Sequence, residues 1–352
     1  MFEKREFLRR TLLLCTCMSL AFSAPGVYAA TCATQSQMDA TLRSTFTGEA
    51  RTIAAIVQSG DTQALRAKIL PAIASDFDGI AQSVTSLKPL VQTATMTVDS
   101  LYLLDASKDA PGAERTQFFC GSPIVVLTFN GLPPGTYGLV ILHATGVQQP
   151  QQISLILASA PGNQWQLAGF YAKPMVHADH DGLWYWVSAR KYAQTKDDWT
   201  AWLYYHIAET LLSPVDFLSS PNLQKLQQET QQAKPKDFPL DKTQVSLNAQ
   251  GASYSLSAVD TTTQFGGLDL DVHYLPSATQ AAQLRTPTEA RKQVTDIMTA
   301  LLAQHPGLRQ AFHGMWVHAD QGDSSVFALE LPMDQIARGT QPQALNNPPA
   351  TR

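Results

Sequence analysis

The chain has 352 residues, a formal net charge of −4 at pH 7, 15% charged residues and 44% hydrophobic ones. That length is long for one hydrophobic core and comfortable for two domains. A near-neutral, slightly acidic balance with no basic stripe argues against nucleic acid as a partner.

The first element is an expected export signal. Lys4, Arg5, Arg9 and Arg10 supply positive charge, and an uncharged apolar run follows from Leu12 to Ala24. Val27-Tyr28-Ala29-Ala30 then offers small residues, with cleavage expected after Ala29. Charge, apolar stretch and small-residue exit are the three parts of a secretory signal. The apolar run is roughly 13 residues, short of the about 20 that span a bilayer. Lys4-Arg5-Glu6-Phe7-Leu8-Arg9 resembles a twin-arginine signal with Lys for the first Arg, so the general secretory and twin-arginine routes both stay open. Thr31 precedes Cys32 where a lipoprotein usually has Gly or Ala. No later stretch is apolar enough to span a membrane, and the mature protein is expected to be periplasmic or secreted. Of four cysteines, Cys15 and Cys17 fall in the signal. Cys32 and Cys120 remain as one even pair, which an oxidising compartment predicts to be a disulfide. The rival role for Cys120, a nucleophile, lacks a nearby base.

Residues 36–58 carry Met38, Leu42, Phe46, Ala50, Ile53, Ala54 and Val57 at helical spacing, and Ser59-Gly60-Asp61 ends that helix. A second helix is expected to Leu70, and a third segment from Pro71 has Phe77, Ile80, Val84, Leu87 and Leu90 as its stripe. The period then changes. Strands are expected at 95–104, 117–120, 124–129, 136–144, 152–158 and 165–171, with turns at Gly131–Gly135 and Pro161-Gly162-Asn163. Helices followed by a run of antiparallel strands predict an α+β, helix-capped curved antiparallel sheet over 36–175.

Three segments carry a family resemblance: Glu49–Asp61 (EARTIAAIVQSGD), Val98–Ser107 (VDSLYLLDAS) and the closing Gly162–Pro174 (GNQWQLAGFYAKP). On these, residues 36–173 resemble a nuclear transport factor two-like (cystatin-like cone) domain. The resemblance implies a cone-shaped pocket between sheet and helices, and no single activity. Asp76 and Asp99 are the carboxylates near plausible pocket positions, and the acid–base dyads of the enzymatic members find no clear counterpart here.

Residues 176–236 read as a helical insert, with one helix from Ser188 to Leu212 and a capping box at Ser213-Pro214-Val215-Asp216. Gln231–Pro239 reads as a linker. A second small α+β domain is expected over 237–336, one helix packed on an antiparallel sheet. Its strands fall at 244–248, 252–259, 268–274, 312–318 and 325–331. Its helix opens on a second capping box, Thr286-Pro287-Thr288-Glu289, and shows Val294, Ile297, Met298, Leu301 and Leu302 on one face. Residues 337–352, rich in Pro, Gln and Asn, read as a disordered tail.

Three places can carry chemistry. His177, Asp179, His180 and Asp181 form a metal-ligand candidate, although their spacing fits no strong motif. Its simpler reading is a polar loop whose Asp179 or Asp181 caps the next element. Trp184, Trp186, Trp199 and Trp202 form a candidate ligand platform, against which stands packing of the aromatic helices onto the first domain. His206, on its helix's apolar stripe, reads as a core histidine. Alternation puts Trp316, His318 and Asp320 on one strand face, where His318 beside a carboxylate has the makings of a general base. With no nucleophile identified, an exposed strand face is the plainer reading. No P-loop, G-x-S-x-G or G-x-G-x-x-G occurs, so no cofactor is expected. Two functions follow. The first is an exported non-enzymatic binding or structural module, with a small-molecule or protein-partner site in the cone-like domain. The second is a periplasmic hydrolase or isomerase using pocket residues the sequence does not identify.

Overall fold

The computed structural model describes residues 30–122, 124–162, 164–240 and 243–338. The expected export signal and residues 339–352 of the expected tail lie outside the described residues. The chain is of the α+β class, as its patterning implies.

The first half opens with β1 (Thr31–Thr34), α1 (Ala40–Ser59), α2 (Thr62–Arg66), a 3-10 turn (Pro71–Asp76) and α3 (Phe77–Val91). Strands β2 (Thr95–Asp105), β3 (Arg115–Cys120), β4 (Val125–Asn130), β5 (Thr136–Thr145), β6 (Gln151–Ala160) and β7 (Gln164–Pro174) follow. Asp39 caps α1 by accepting from the Leu42 N–H, and Gly60 ends it in the left-handed region. The main sheet runs β1-β2-β5-β6-β7, all antiparallel.

That sheet is buried on both faces. Val140, Leu142, Ile153 and Leu155 pack against Phe46, Ile53, Val57 and Val84 of α1 and α3. Leu139, Ile141 and Ile156 face the other way, onto Phe118 and Leu127 of the small sheet that β3 and β4 form. Gly138 permits the closest approach, because a Cβ there would stand 2.4 Å from the Phe46 ring. The two sheets are tied covalently. Cys32 on edge strand β1 is bonded to Cys120 at the end of β3, 88 residues away, with Cα atoms 5.1 Å apart.

The middle of the chain is β8 (Val176–His177), β9 (His180–Asp181), α4 (Gly182–Gln194), α5 (Asp198–Leu212), β10 (Leu218–Ser219) and α6 (Pro221–Ala233). The single helix expected from Ser188 to Leu212 is two helices. Lys196 sits at φ 60° and Asp197 starts α5 by capping it, so the path breaks between them. Ser213-Pro214 starts no helix. The Ser213 hydroxyl donates to the Val215 carbonyl at 3.0 Å, making a turn into β10, which adds to β4. The helix begins instead at Ser220-Pro221, capped by the Ser220 hydroxyl.

The last part is β11 (Val245–Ala249), β12 (Ala252–Thr262), β13 (Asp269–Leu275), α7 (Ala278–Gln283), α8 (Pro287–Gln304), α9 (Leu308–Ala311), β14 (Gly314–Gln321), β15 (Ser324–Pro332) and α10 (Met333–Arg338). These strands form one sheet in sequence order, but it is not wholly antiparallel. β13 and β14 run parallel, because the three-helix crossover returns the chain to the same end before β14 starts. Thr286 makes no side-chain cap on α8; the reciprocal capping box is Ser277 with Gln280, at the start of α7.

Strand alternation divides the last sheet's faces. Leu270, Val272 and Tyr274 of β13 and Met315, Val317 and Ala319 of β14 are buried with Val294, Ile297 and Met298 of α8. Tyr274 donates to Gln293 and Tyr254 to Asp296, which fixes α8 on that face. The aromatic residues Tyr185, Trp199, Trp202, Tyr204 and Tyr205 join this same core and not chiefly the first sheet's. The stretch expected as a linker is anchored: Phe238 is buried in that core, and Asp237 accepts from the Trp199 indole N–H at 3.0 Å.

Candidate metal centre

Opposite α8, the face of β13–β14–β15 is polar. Period-two alternation sends Asp269, Asp271 and His273 of β13 to one side. The parallel register sets His273 beside His318 and Asp271 beside Trp316. The antiparallel register of β15 brings Ser325 opposite Asp320.

Three ligand atoms meet there. Asp271 Oδ1 lies 3.4 Å from His273 Nε2 and 3.2 Å from His318 Nε2. Among the described residues, these three form the one group of His, Cys, Asp or Glu whose ligand atoms all lie within 4.8 Å of one another. Tetrahedral zinc with bonds of about 2.0–2.1 Å separates neighbouring ligand atoms by about 3.3 Å. The two observed separations match that spacing.

The outer hydrogen bonds fix which nitrogen is free. Ser325 donates to Asp320 Oδ1 at 2.6 Å, so its oxygen accepts from His318 Nδ1 at 3.1 Å. His273 Nδ1 donates to Asp320 Oδ2 at 2.7 Å. Both rings therefore carry their proton on Nδ1, and a neutral ring presents an Nε2 lone pair towards Asp271. Asp271 Oδ1 and His318 Nε2 are buried and make no hydrogen bond of acceptable geometry, despite their contact. Lone pairs facing a carboxylate oxygen repel unless a positive charge sits between them. Ligand histidines whose second nitrogen is held by a carboxylate or hydroxyl are the usual outer arrangement of a metal site.

A proton meets the same need. The Asp271 carboxylate beside Nε2, opposed by burial and aided by Asp320, pushes His273 up to about 9. Burial, together with the neighbouring His273 charge, holds His318 below the ordinary histidine value. The rings are stacked, centroids 4.5 Å apart at 10°, and Trp316 leans on His318 at 4.0 Å. Phe265 packs edge-on against Trp316 at 5.1 Å. His318 is 7% exposed, so the plainer expectation of an exposed strand face does not hold.

The sequence candidate His177, Asp179, His180, Asp181 does not converge. Ala178 and Asp179, at φ 43° and 63°, form the tight turn of the β8–β9 hairpin. Asp181 spends its carboxylate capping α4, accepting from the Trp184 N–H at 2.8 Å. His180 stacks on the Trp184 ring at 3.6 Å and 3°. His177 is held below the ordinary value by burial.

The four tryptophans make no common platform. Trp199 and Trp202 are each 3% exposed, in the second core. Trp186 donates to Glu229 at 2.7 Å under the Arg190 guanidinium. Its edge lines a groove of about 360 Å³ shared with Tyr102, Ile141, Leu183 and Leu223, and Asp99 stands in that wall. Trp184 is occupied by His180. His206 is a half-buried helix histidine held below its ordinary value by burial.

Trp316, His318 and Asp320 were legible as one face. Asp271 and His273 were not singled out, although Asp269-Leu270-Asp271-Val272-His273 alternates polar and apolar in the open. No protein-family model, curated protein or solved structure matches the chain.

Proposed function

We propose that this is an exported metal-binding module that holds one divalent transition metal, zinc by ligand chemistry, through Asp271 Oδ1, His273 Nε2 and His318 Nε2. One observation carries the reading: two outward-locked imidazoles and a buried carboxylate oxygen converge at tetrahedral ligand spacing. Mixed nitrogen and oxygen ligands suit zinc better than calcium or magnesium. The export half rests on the charged, apolar and small-residue run before residue 30. The disulfide is compatible with it, and among the described residues no helix is long and apolar enough to cross a membrane. The cone-like resemblance of the first domain belongs to the same proposal, supported by helices α1 and α3 packed on a fully antiparallel sheet.

The test is calorimetric titration of the chelator-treated chain with zinc chloride. One equivalent is expected, lost in His318→Ala and in Asp271→Asn. Zinc at a hundredfold its Kd should add about 2.7 kcal/mol of stability, read as a raised Tm. Absence of both binding heat and a Tm change on zinc addition defeats the reading. A second reading, a metal-dependent hydrolase, has the ligand count in its favour, since three protein ligands leave a position for water. Zinc-dependent hydrolysis of activated esters, abolished by His318→Ala, separates the two.

A further inference from the structure

One residue pair along from the zinc ligands, the same sheet face holds a second unexplained group. Asp269 points the way Asp271 does, and its side chain is fully buried. Its Oδ1 accepts from His313 Nδ1 at 3.0 Å, while its Oδ2 has no partner. Glu330 reaches over from β15, and its buried Oε1 has no partner either. The residue between them on β14 is Gly314, set directly beside Asp269. A Cβ on Gly314 would stand 2.6 Å from Asp269 Oδ1, 2.7 Å from Glu330 Oε1 and 3.1 Å from the Leu331 carbonyl oxygen. Asp269 Oδ1, the oxygen His313 holds, thus crowds with Glu330 Oε1 and the Leu331 carbonyl oxygen around a strand position that tolerates no side chain.

The orphaned atoms are concentrated here. Seven buried side-chain nitrogens and oxygens lack a hydrogen-bond partner among the described residues, and four of them lie on this face: Asp269 Oδ2, Asp271 Oδ1, His318 Nε2 and Glu330 Oε1. Three of those four are carboxylate oxygens. An unpaired buried carboxylate is costly, and two side by side are worse unless a positive charge joins them. His313 bonds to Asp269 and is half exposed, and it gives Glu330 Oε1 no hydrogen bond.

We infer that Asp269, Glu330 and the Leu331 carbonyl form a second cation site for a hard ion, calcium, so that the face carries a row of two sites. Oxygen-only ligands, including a backbone carbonyl in irregular geometry, suit calcium and not a transition metal. The inference rests on the metal-binding reading of the face, but its residues are separate from the zinc ligands. His313 is a positioning residue for Asp269.

The test is calorimetric titration with calcium chloride of the full chain, zinc-loaded and zinc-free. One equivalent of calcium is expected in the wild type and in His318→Ala. It should be lost in Gly314→Ala, whose added methyl fills the cradle, and in Glu330→Gln. Glu330→Gln should keep its zinc equivalent, which shows that the sheet still folds if Gly314→Ala does not. Absence of calcium heat in a wild type that binds zinc overturns the inference and leaves the two carboxyls sharing a proton. Calcium binding that survives both substitutions overturns it too. Calcium binding without zinc binding sinks the zinc reading and leaves this one standing.

Discussion

At the scale of residues, Asp320 decides how the centre is built. It binds no metal in the proposed arrangement, yet it accepts from both His273 Nδ1 and Ser325 Oγ, and so sets the orientation of both imidazoles. Outer-shell partners of this kind are worth 10–100-fold in metal affinity. Asp320→Asn is therefore expected to weaken zinc about 10–100-fold without abolishing it, measured by competition with a chelator. Glu229 offers a residue-scale test of stability. Burial pushes its carboxyl up, but hydrogen bonds from Arg190 and Trp186 and the Arg190 charge outweigh it, leaving it below the ordinary value. A carboxyl depressed on folding stabilises fully above its unfolded pKa, about 4.3, and that contribution is lost as pH falls through the folded value. The Tm difference between wild type and Glu229→Gln should be largest above about pH 5 and shrink on acidification. A difference that grows towards low pH would contradict the ion pair's role.

At the scale of elements, the β8–β9 hairpin and α4 show how one polar run is used. Asp181 is an N-cap, so Asp181→Ala should cost about 0.5–2 kcal/mol by urea unfolding. The same variant should bind zinc as the wild type does. A zinc loss there would return the centre to the His177–Asp181 run. Its sequence looked ligand-rich because histidine and aspartate serve ligation, capping and turns alike; only the backbone turn at Ala178-Asp179 separates those uses. The break between α4 and α5 was hidden for a similar reason. The apolar periodicity continues through it, and Lys196 is no usual left-handed residue, so the signal was the Asp197 cap alone. The same holds for Ser213-Pro214 and Thr286-Pro287, which have capping-box sequences but make no such box.

For the whole molecule, the Cys32–Cys120 bond joins residues 88 apart and clips the main sheet to the small one. In the chain-entropy model a loop of that length contributes up to about 4 kcal/mol. Cys120→Ser in the chain lacking residues 1–29 should lower stability by up to about that amount in urea unfolding, and should leave one free thiol. Unreduced, denatured wild type lacking residues 1–29 should titrate none.

The sequence by itself determined the α+β class, the change from helical to strand period near residue 95, the pairing of Cys32 with Cys120 and the common face of Trp316, His318 and Asp320. Each is a local or counting property: period, charge, parity. It also placed α8 by its stripe. Only the tertiary structure decided that β13 and β14 lie parallel and in the register that sets His273 beside His318. The two strands are separated by a three-helix crossover, and nothing local in either one encodes its neighbour. It likewise decided that the aromatic helices pack in the second core, because an apolar face records that it must be buried but not against what. A side-chain group assembled across two distant strands is legible only once their register is set, and here register places Asp271, His273 and His318 around one point.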